Sequence, residues 1–164
     1  LNRITPLSTR GNVAFFGAFG YELDLQKLTS EERETVREQI RFMKRYRSVL
    51  QFGTFYRLQS PFEHNIAAWM VVSEDQRTAI VGYYKILNDV NCEYRRLRLQ
   101  GLDPEKIYHV DQTDMCHGGD ELMNLGLITT DASAGQPTSG QPEEGFEICS
   151  DFWSKLYVLT ENNH

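Results

Sequence analysis

Cysteine and basic charge are scarce in this chain of 164 residues, and each shortage closes off a class of protein. The three cysteines, Cys92, Cys116 and Cys149, are widely spaced and odd in number. That pattern speaks against a disulfide framework and fits reduced thiols in a cytoplasm, the expected location. Lysine and arginine total 17 against 23 acidic residues, a net charge of −6. The basic stripe of a nucleic-acid surface is therefore missing, and no nucleic-acid partner is expected. No apolar run approaches the roughly 20 residues that cross a bilayer, so no membrane partner is expected either. Internal repeats are absent. What is present is a globular composition, 40% hydrophobic and 12% aromatic.

Two kinds of pattern follow one another along the chain. Residues 11–25 form a near-continuous apolar run, as in a strand buried on both faces of a parallel sheet. A helix comes next. Thr29 and Glu32 have capping-box spacing, and Val36, Ile40, Met43 and Leu50 mark one apolar stripe, widened by Phe42, Tyr46 and Val49. Acidic residues crowd its first turns and basic ones its last (Arg41, Lys44, Arg45, Arg47), as the macrodipole favours, and Gly53 lies just past its end. That basic cluster reads as a solvated helix face. A parallel strand needs a neighbour, so this single strand–helix unit reads as the tail of a larger α/β domain.

Beyond Pro61 the pattern is all strands. Residues 66–72 and 78–87 make a hairpin about the turn Ser73-Glu74-Asp75-Gln76. Residues 94–99 alternate basic and apolar and so are half-buried; 106–111 and 152–160 are further strands, with a turn at Gly101-Leu102-Asp103-Pro104. Residues 129–145 are low in complexity and read as a mobile surface loop. The expected fold class is mainly β: an antiparallel β-sandwich over 59–164, preceded by a lone strand–helix unit over 1–58.

Several groups have side chains capable of chemistry. Asp111, Asp114, Cys116, His117, Asp120 and Glu121 are potential metal ligands within a short stretch, but their spacing matches neither an EF-hand loop nor a zinc pair. Gly118-Gly119-Asp120-Glu121 reads instead as a tight turn whose carboxylates cap nearby amides. Gly17 and Gly20 lack the third glycine and following helix of a phosphate-binding loop. His64, His109, His117 and His164 stand apart from any nucleophile pattern. Tyr83, Tyr84, Trp69 and Trp153 are capable of stacking on sugar rings, though strand aromatics more often fill a core. From residues alone no catalytic, cofactor-binding or metal constellation is assigned.

Three stretches taken together resemble the C-terminal part of the bacterial α-galactosidases of glycoside hydrolase family 36. The first is Arg3-Ile4-Thr5-Pro6-Leu7, then Thr9-Arg10-Gly11-Asn12-Val13-Ala14-Phe15, running into Phe19-Gly20-Tyr21-Glu22-Leu23-Asp24-Leu25. The second is Gln51-Phe52-Gly53, Tyr56-Arg57-Leu58 and Ser60-Pro61-Phe62-Glu63, leading to Ala67-Ala68-Trp69-Met70-Val71-Val72-Ser73. The third is Gly118-Gly119-Asp120-Glu121-Leu122-Met123-Asn124 with Gly126-Leu127 after it. His64 and the 129–145 segment depart from the pattern.

The resemblance implies a large N-terminal β-domain, a (β/α)8 catalytic barrel and a C-terminal antiparallel sandwich. Residues 1–58 would carry the last strand and helix of the barrel, and 59–164 the sandwich. It also implies a retaining exo-glycosidase that releases terminal α-linked galactose from melibiose and raffinose, working with two aspartates. The family nucleophile follows a lysine two residues upstream, and no Lys-x-Asp occurs here. The acid/base aspartate lies upstream of Arg3, so neither carboxylate is carried over, and Glu22 and Asp24 are expected to be structural. Implied partners are the rest of the barrel and the N-terminal domain, an α-galactoside substrate in the full enzyme, and further copies in a homo-oligomer. The alternative is an independent carbohydrate-binding sandwich. An undocked first strand would expose Phe15, Phe16 and Phe19, so the chain is expected either to self-associate through 11–50 or to pair that strand with the sandwich edge.

Overall fold

The computed structural model describes residues 5–24, 26–87, 96–129 and 151–162. The low-complexity segment 130–145, Cys92, Cys149 and His164 lie outside the described residues.

The chain opens with helix α1 (Leu7–Ala14) and continues with helix α2 (Ser30–Phe52). The eight strands are β1 (Thr54–Gln59), β2 (Ile66–Val72), β3 (Thr78–Lys85), β4 (Arg96–Leu97), β5 (Ile107–Val110), β6 (Met115–Gly118), β7 (Leu127–Ile128) and β8 (Trp153–Glu161); helix α3 (Gly119–Asn124) lies between β6 and β7. Six strands form one sheet in the order β1-β2-β3-β8-β5-β6, every pairing antiparallel, and β4 pairs with β7 in a separate ribbon. The fold is therefore mainly antiparallel β, as the strand spacing implied.

Helix α2 starts where its capping box predicts. The Thr29 hydroxyl accepts from the Glu32 amide at 3.2 Å, and the Glu32 carboxylate accepts from the Thr29 amide at 2.8 Å. Its buried stripe is Val36, Met43, Tyr46 and Leu50, joined by Gln39, which the apolar periodicity did not single out. The Gln39 amide spans two elements: Nε2 donates to the Leu7 carbonyl at 3.1 Å, and Oε1 accepts from Tyr21 at 2.5 Å. Gly53 ends the helix at a site with no room for a side chain, since a Cβ would lie 2.6 Å from the Val49 carbonyl, Val71 Cγ1 and the Val72 carbonyl.

The hairpin forms as expected, with Val72 opposite Ala79 and Ile66 opposite Lys85. Alternation along these strands separates two cores. On one face Ile66, Ala68, Met70, Ala79, Val81, Tyr83, Tyr157 and Leu159 pack with Leu97, Leu99, Leu102, Leu122 and Leu127 from the β4–β7 layer. On the other, Ile80 and Val158 pack with Phe15, Met43, Tyr46 and Leu50 from the helices.

Three expectations need correction. The described part of that run, residues 11–24, is not a strand: it divides into the end of α1, turns at 15–17 and an irregular segment. A helix satisfies its amides and carbonyls internally without a partner strand, as Phe15 N–H donating to the Gly11 carbonyl does. The expected pairing with the sheet edge is likewise replaced by docking onto a sheet face. Thr9 Oγ1 donates to the Phe152 carbonyl at 2.8 Å, Asn12 Nδ2 to Ser154 Oγ at 2.9 Å, and Tyr84 O–H to the Asn12 carbonyl at 2.7 Å. Phe15 ends 2% exposed, its ring 4.7 Å from Phe42 and 4.9 Å from Phe19. Gly118-Gly119-Asp120-Glu121, expected as a tight turn, is instead the N-cap and start of helix α3, with the Leu125 amide donating to the Glu121 carbonyl. Strands β1, β6 and β7 were not anticipated.

Candidate functional site

The residues singled out for chemistry do not converge. Strand register places Tyr108 opposite His117 and His109 opposite Cys116. Directly opposed residues share a face, so the two histidines project to opposite sides of the β5–β6 ribbon. His109 Nε2 lies 2.9 Å from Asp114 Oδ1, and its Nδ1 lies 3.3 Å from Asp111 Oδ1. The bond to Asp114 foremost, then that to Asp111, raises the His109 pKa above the ordinary value. His117 Nδ1 meets Glu121 at 3.1 Å on the other side, Asp120 accepts from the Glu121 amide, and Cys116 Sγ accepts from Asn162. Among the described residues no three of these groups are placed to share a metal ion.

Glu22 and Asp24 are both exposed. Asp24 accepts from the Gln26 amide at 3.1 Å and faces Lys27 at 3.5 Å, holding the approach to α2. The basic end of α2 is a solvated face: Arg41 pairs with Glu34, and Arg45 lies over the Tyr46 ring. Tyr83 and Tyr84 are withdrawn into the two cores at 1% and 5% exposure, and burial drives the Tyr84 pKa far upward. Trp69 stacks on Tyr84 with ring centroids 4.4 Å apart, and Trp153 meets Tyr83 edge-on.

A groove of about 750 Å³ lies beside β1, an edge strand of the sheet. The end of α1 supplies one wall through Val13 and Phe16; Phe55 and Trp69 line it from the sheet, and Phe62 from the loop after β1. The Phe16 ring meets Trp69 edge-on at 6.0 Å. Arg57, Gln59 and Glu63 add polar groups, and Gln59 Oε1 is shielded from solvent with no hydrogen bond from the described residues. A register shift between Arg57 and Gln59 marks a bulge in β1. Sequence reading missed this groove because β1 was not recognised; the available signal was the alternation Phe55, Arg57, Gln59. Lys85 was missed too: it is 1% exposed and its ammonium has no hydrogen-bond partner among the described residues.

An antiparallel sheet with one face filled by a small β layer and the other by two helices defines a mainly antiparallel β-fold with helices packed on one side. A model of the glycosyl hydrolase family 36 C-terminal domain matches residues 66–159, and a melibiase model matches residues 1–53. The chain belongs to glycosyl hydrolase family 36, through that family's C-terminal domain. It is 48% identical over 127 residues to the α-galactosidase AgaA of Geobacillus stearothermophilus, covering 77% of this chain and 17% of that protein. With α-galactosidase Mel36A of Lactobacillus acidophilus it shares 44% over 125 residues, 76% of this chain and 17% of that protein. The crystal structure of α-galactosidase AgaB from Geobacillus stearothermophilus superposes with a TM-score of 0.83 and 41% identity, covering 99% of this chain and 20% of that one. An AgaA variant solved in complex with raffinose gives a TM-score of 0.82 at 41% identity over 98% of this chain and 20% of that one. The chain thus spans about one sixth of the length of these curated relatives.

Proposed function

We propose that this chain is the C-terminal part of an α-galactosidase that hydrolyses terminal α-linked galactose from oligosaccharides of the melibiose and raffinose type. The supporting observation is the ordered match of its two stretches to the melibiase and family 36 C-terminal models, together with a 41% identical superposition over 99% of the chain. In this reading the chemistry is retaining: one aspartate attacks the anomeric carbon, and another protonates the leaving oxygen and later activates water. Both aspartates belong to the upstream barrel. Residues 1–58 are the barrel's last portion, 59–164 the C-terminal domain, and the role of this chain is to support the barrel. A cytoplasmic location and a homo-oligomeric assembly complete the proposal; the scattered cysteines support the former, and the family resemblance the latter.

The test is release of 4-nitrophenol from 4-nitrophenyl α-galactoside. The chain alone is expected to release none, and the chain carrying an upstream catalytic portion to release it steadily. Turnover by the 164 residues alone would overturn the assignment of both carboxylates to the missing barrel. The alternative reading, a free-standing carbohydrate-binding module, has its support in the rings of the groove, chiefly Trp69 and Phe55.

A further inference from the structure

The groove beside β1 has the wrong chemistry for a water-facing surface. Phe62 is 96% exposed, and Val13 and Phe55 are each 46% exposed. All three line one concavity with Phe16 and Trp69, so the apolar exposure is contiguous rather than scattered. None of the phenylalanine rings has a polar tip to share with water.

The position of the groove points to its occupant. Helices α1 and α2, which lie within the stretch matching the melibiase model, already cover one face of the sheet through Phe15, Met43, Tyr46 and Leu50 on Ile80 and Val158. The groove begins where that cover stops, at Val13, Phe16 and Gly17, and runs on over β1 and the loop at 60–63. It is the same seam continued. β1 and that loop fall between the two matched stretches, where a catalytic region and its C-terminal domain would meet. A second copy of this chain is the weaker occupant. β1 is an edge, but it carries a bulge between Arg57 and Gln59 and a charged Arg57, both devices that discourage strand addition.

We propose that this groove seats an apolar segment of the catalytic barrel upstream of the chain, extending the seam that α1 and α2 begin. The inference rests on the proposed α-galactosidase reading and locates where the barrel docks. The rings of Phe55 and Phe62 flank the seated segment. Arg57 and Glu63 offer one charge of each sign beside it.

The experiment measures maleimide labelling of the introduced thiol in F62C and, separately, F55C, read by peptide mass spectrometry so that the native Cys92, Cys116 and Cys149 do not contribute, each rate normalised to that of the same protein unfolded in guanidinium. Phe62 is so exposed that its replacement leaves folding of the chain intact. Each variant is made in the 164-residue chain and in the chain joined to an upstream catalytic portion, from its own gene or grafted from AgaA. The expected result is rapid labelling in the short chain and at least tenfold slower labelling in the extended one. Equal labelling in an extended protein that hydrolyses 4-nitrophenyl α-galactoside would overturn the docking inference and leave the proposed function standing. Protection without hydrolysis would uphold docking while removing the reading beneath it. Protection in the short chain that fades on dilution would replace the barrel with a second copy and overturn the inference.

Discussion

Replacing Phe15 with alanine tests whether the opening segment is part of the folded core. The ring is 2% exposed and packs against Phe19 and Phe42 at 4.9 and 4.7 Å, in a cluster that includes Met43, Ile80 and Val158. Removing a buried phenylalanine ring costs about 3–5 kcal/mol, because lost burial is joined by a cavity that rigid neighbours do not close. With a urea slope of about 2 kcal/mol/M, Phe15→Ala is expected to lower the unfolding midpoint by about 1.5–2.5 M. Phe62→Ala is the control: at 96% exposure it should change stability by no more than about 0.5 kcal/mol. Unfolding would be followed by far-UV circular dichroism for the sheet and by tryptophan fluorescence for docking, since Phe16 touches Trp69. A midpoint change below about 0.5 M, or equal changes for the two variants, would refute the docked segment.

Thr29→Ala removes the hydroxyl that accepts from the Glu32 amide and should destabilise the chain by about 1 kcal/mol, read from the urea midpoint. The raised pKa of His109 gives a signed pH effect. Its cationic form is favoured by Asp114 and Asp111 in the folded state, so that contribution is complete below the ordinary histidine value of 6.5 and fades as pH rises through the higher folded value. An NMR titration should place the His109 midpoint above 6.5, and H109Q should remove this part of the pH dependence of stability.

Legibility in the sequence followed how local each signal is. The capping box at Thr29 and Glu32 needs only four consecutive residues, so the start of α2 was readable. The hairpin between Ile66 and Lys85 was readable for the same reason: two apolar runs flank one polar turn. The run 11–25 misled because a short apolar run has no period that distinguishes helix from strand; its start belongs to α1, and Phe15 packs on a sheet face with Ile80 and Val158. β1 was missed because Thr54–Gln59 is half polar and owes its conformation to pairing with β2. The consecutive glycines Gly118 and Gly119 read as a turn, yet Gly119–Asn124 is helical and places Leu122 in the core.

By itself the sequence determined the family, through residues scattered along nearly the whole chain, and the lack of a Lys-x-Asp nucleophile motif. It also determined the alternation that makes β2, β3 and β8 two-faced, because side chains alternate along any extended strand. Only the tertiary structure decided which layer covers each face, how the acidic and histidine groups divide between opposite sides of the β5–β6 ribbon, and where apolar surface remains uncovered. The docking of α1 on its face of the sheet involves contacts between residues more than a hundred positions apart, Thr9 with Phe152 and Asn12 with Ser154. No local pattern encodes such contacts, since each forms only when the two elements have already been brought together by the burial of the rest.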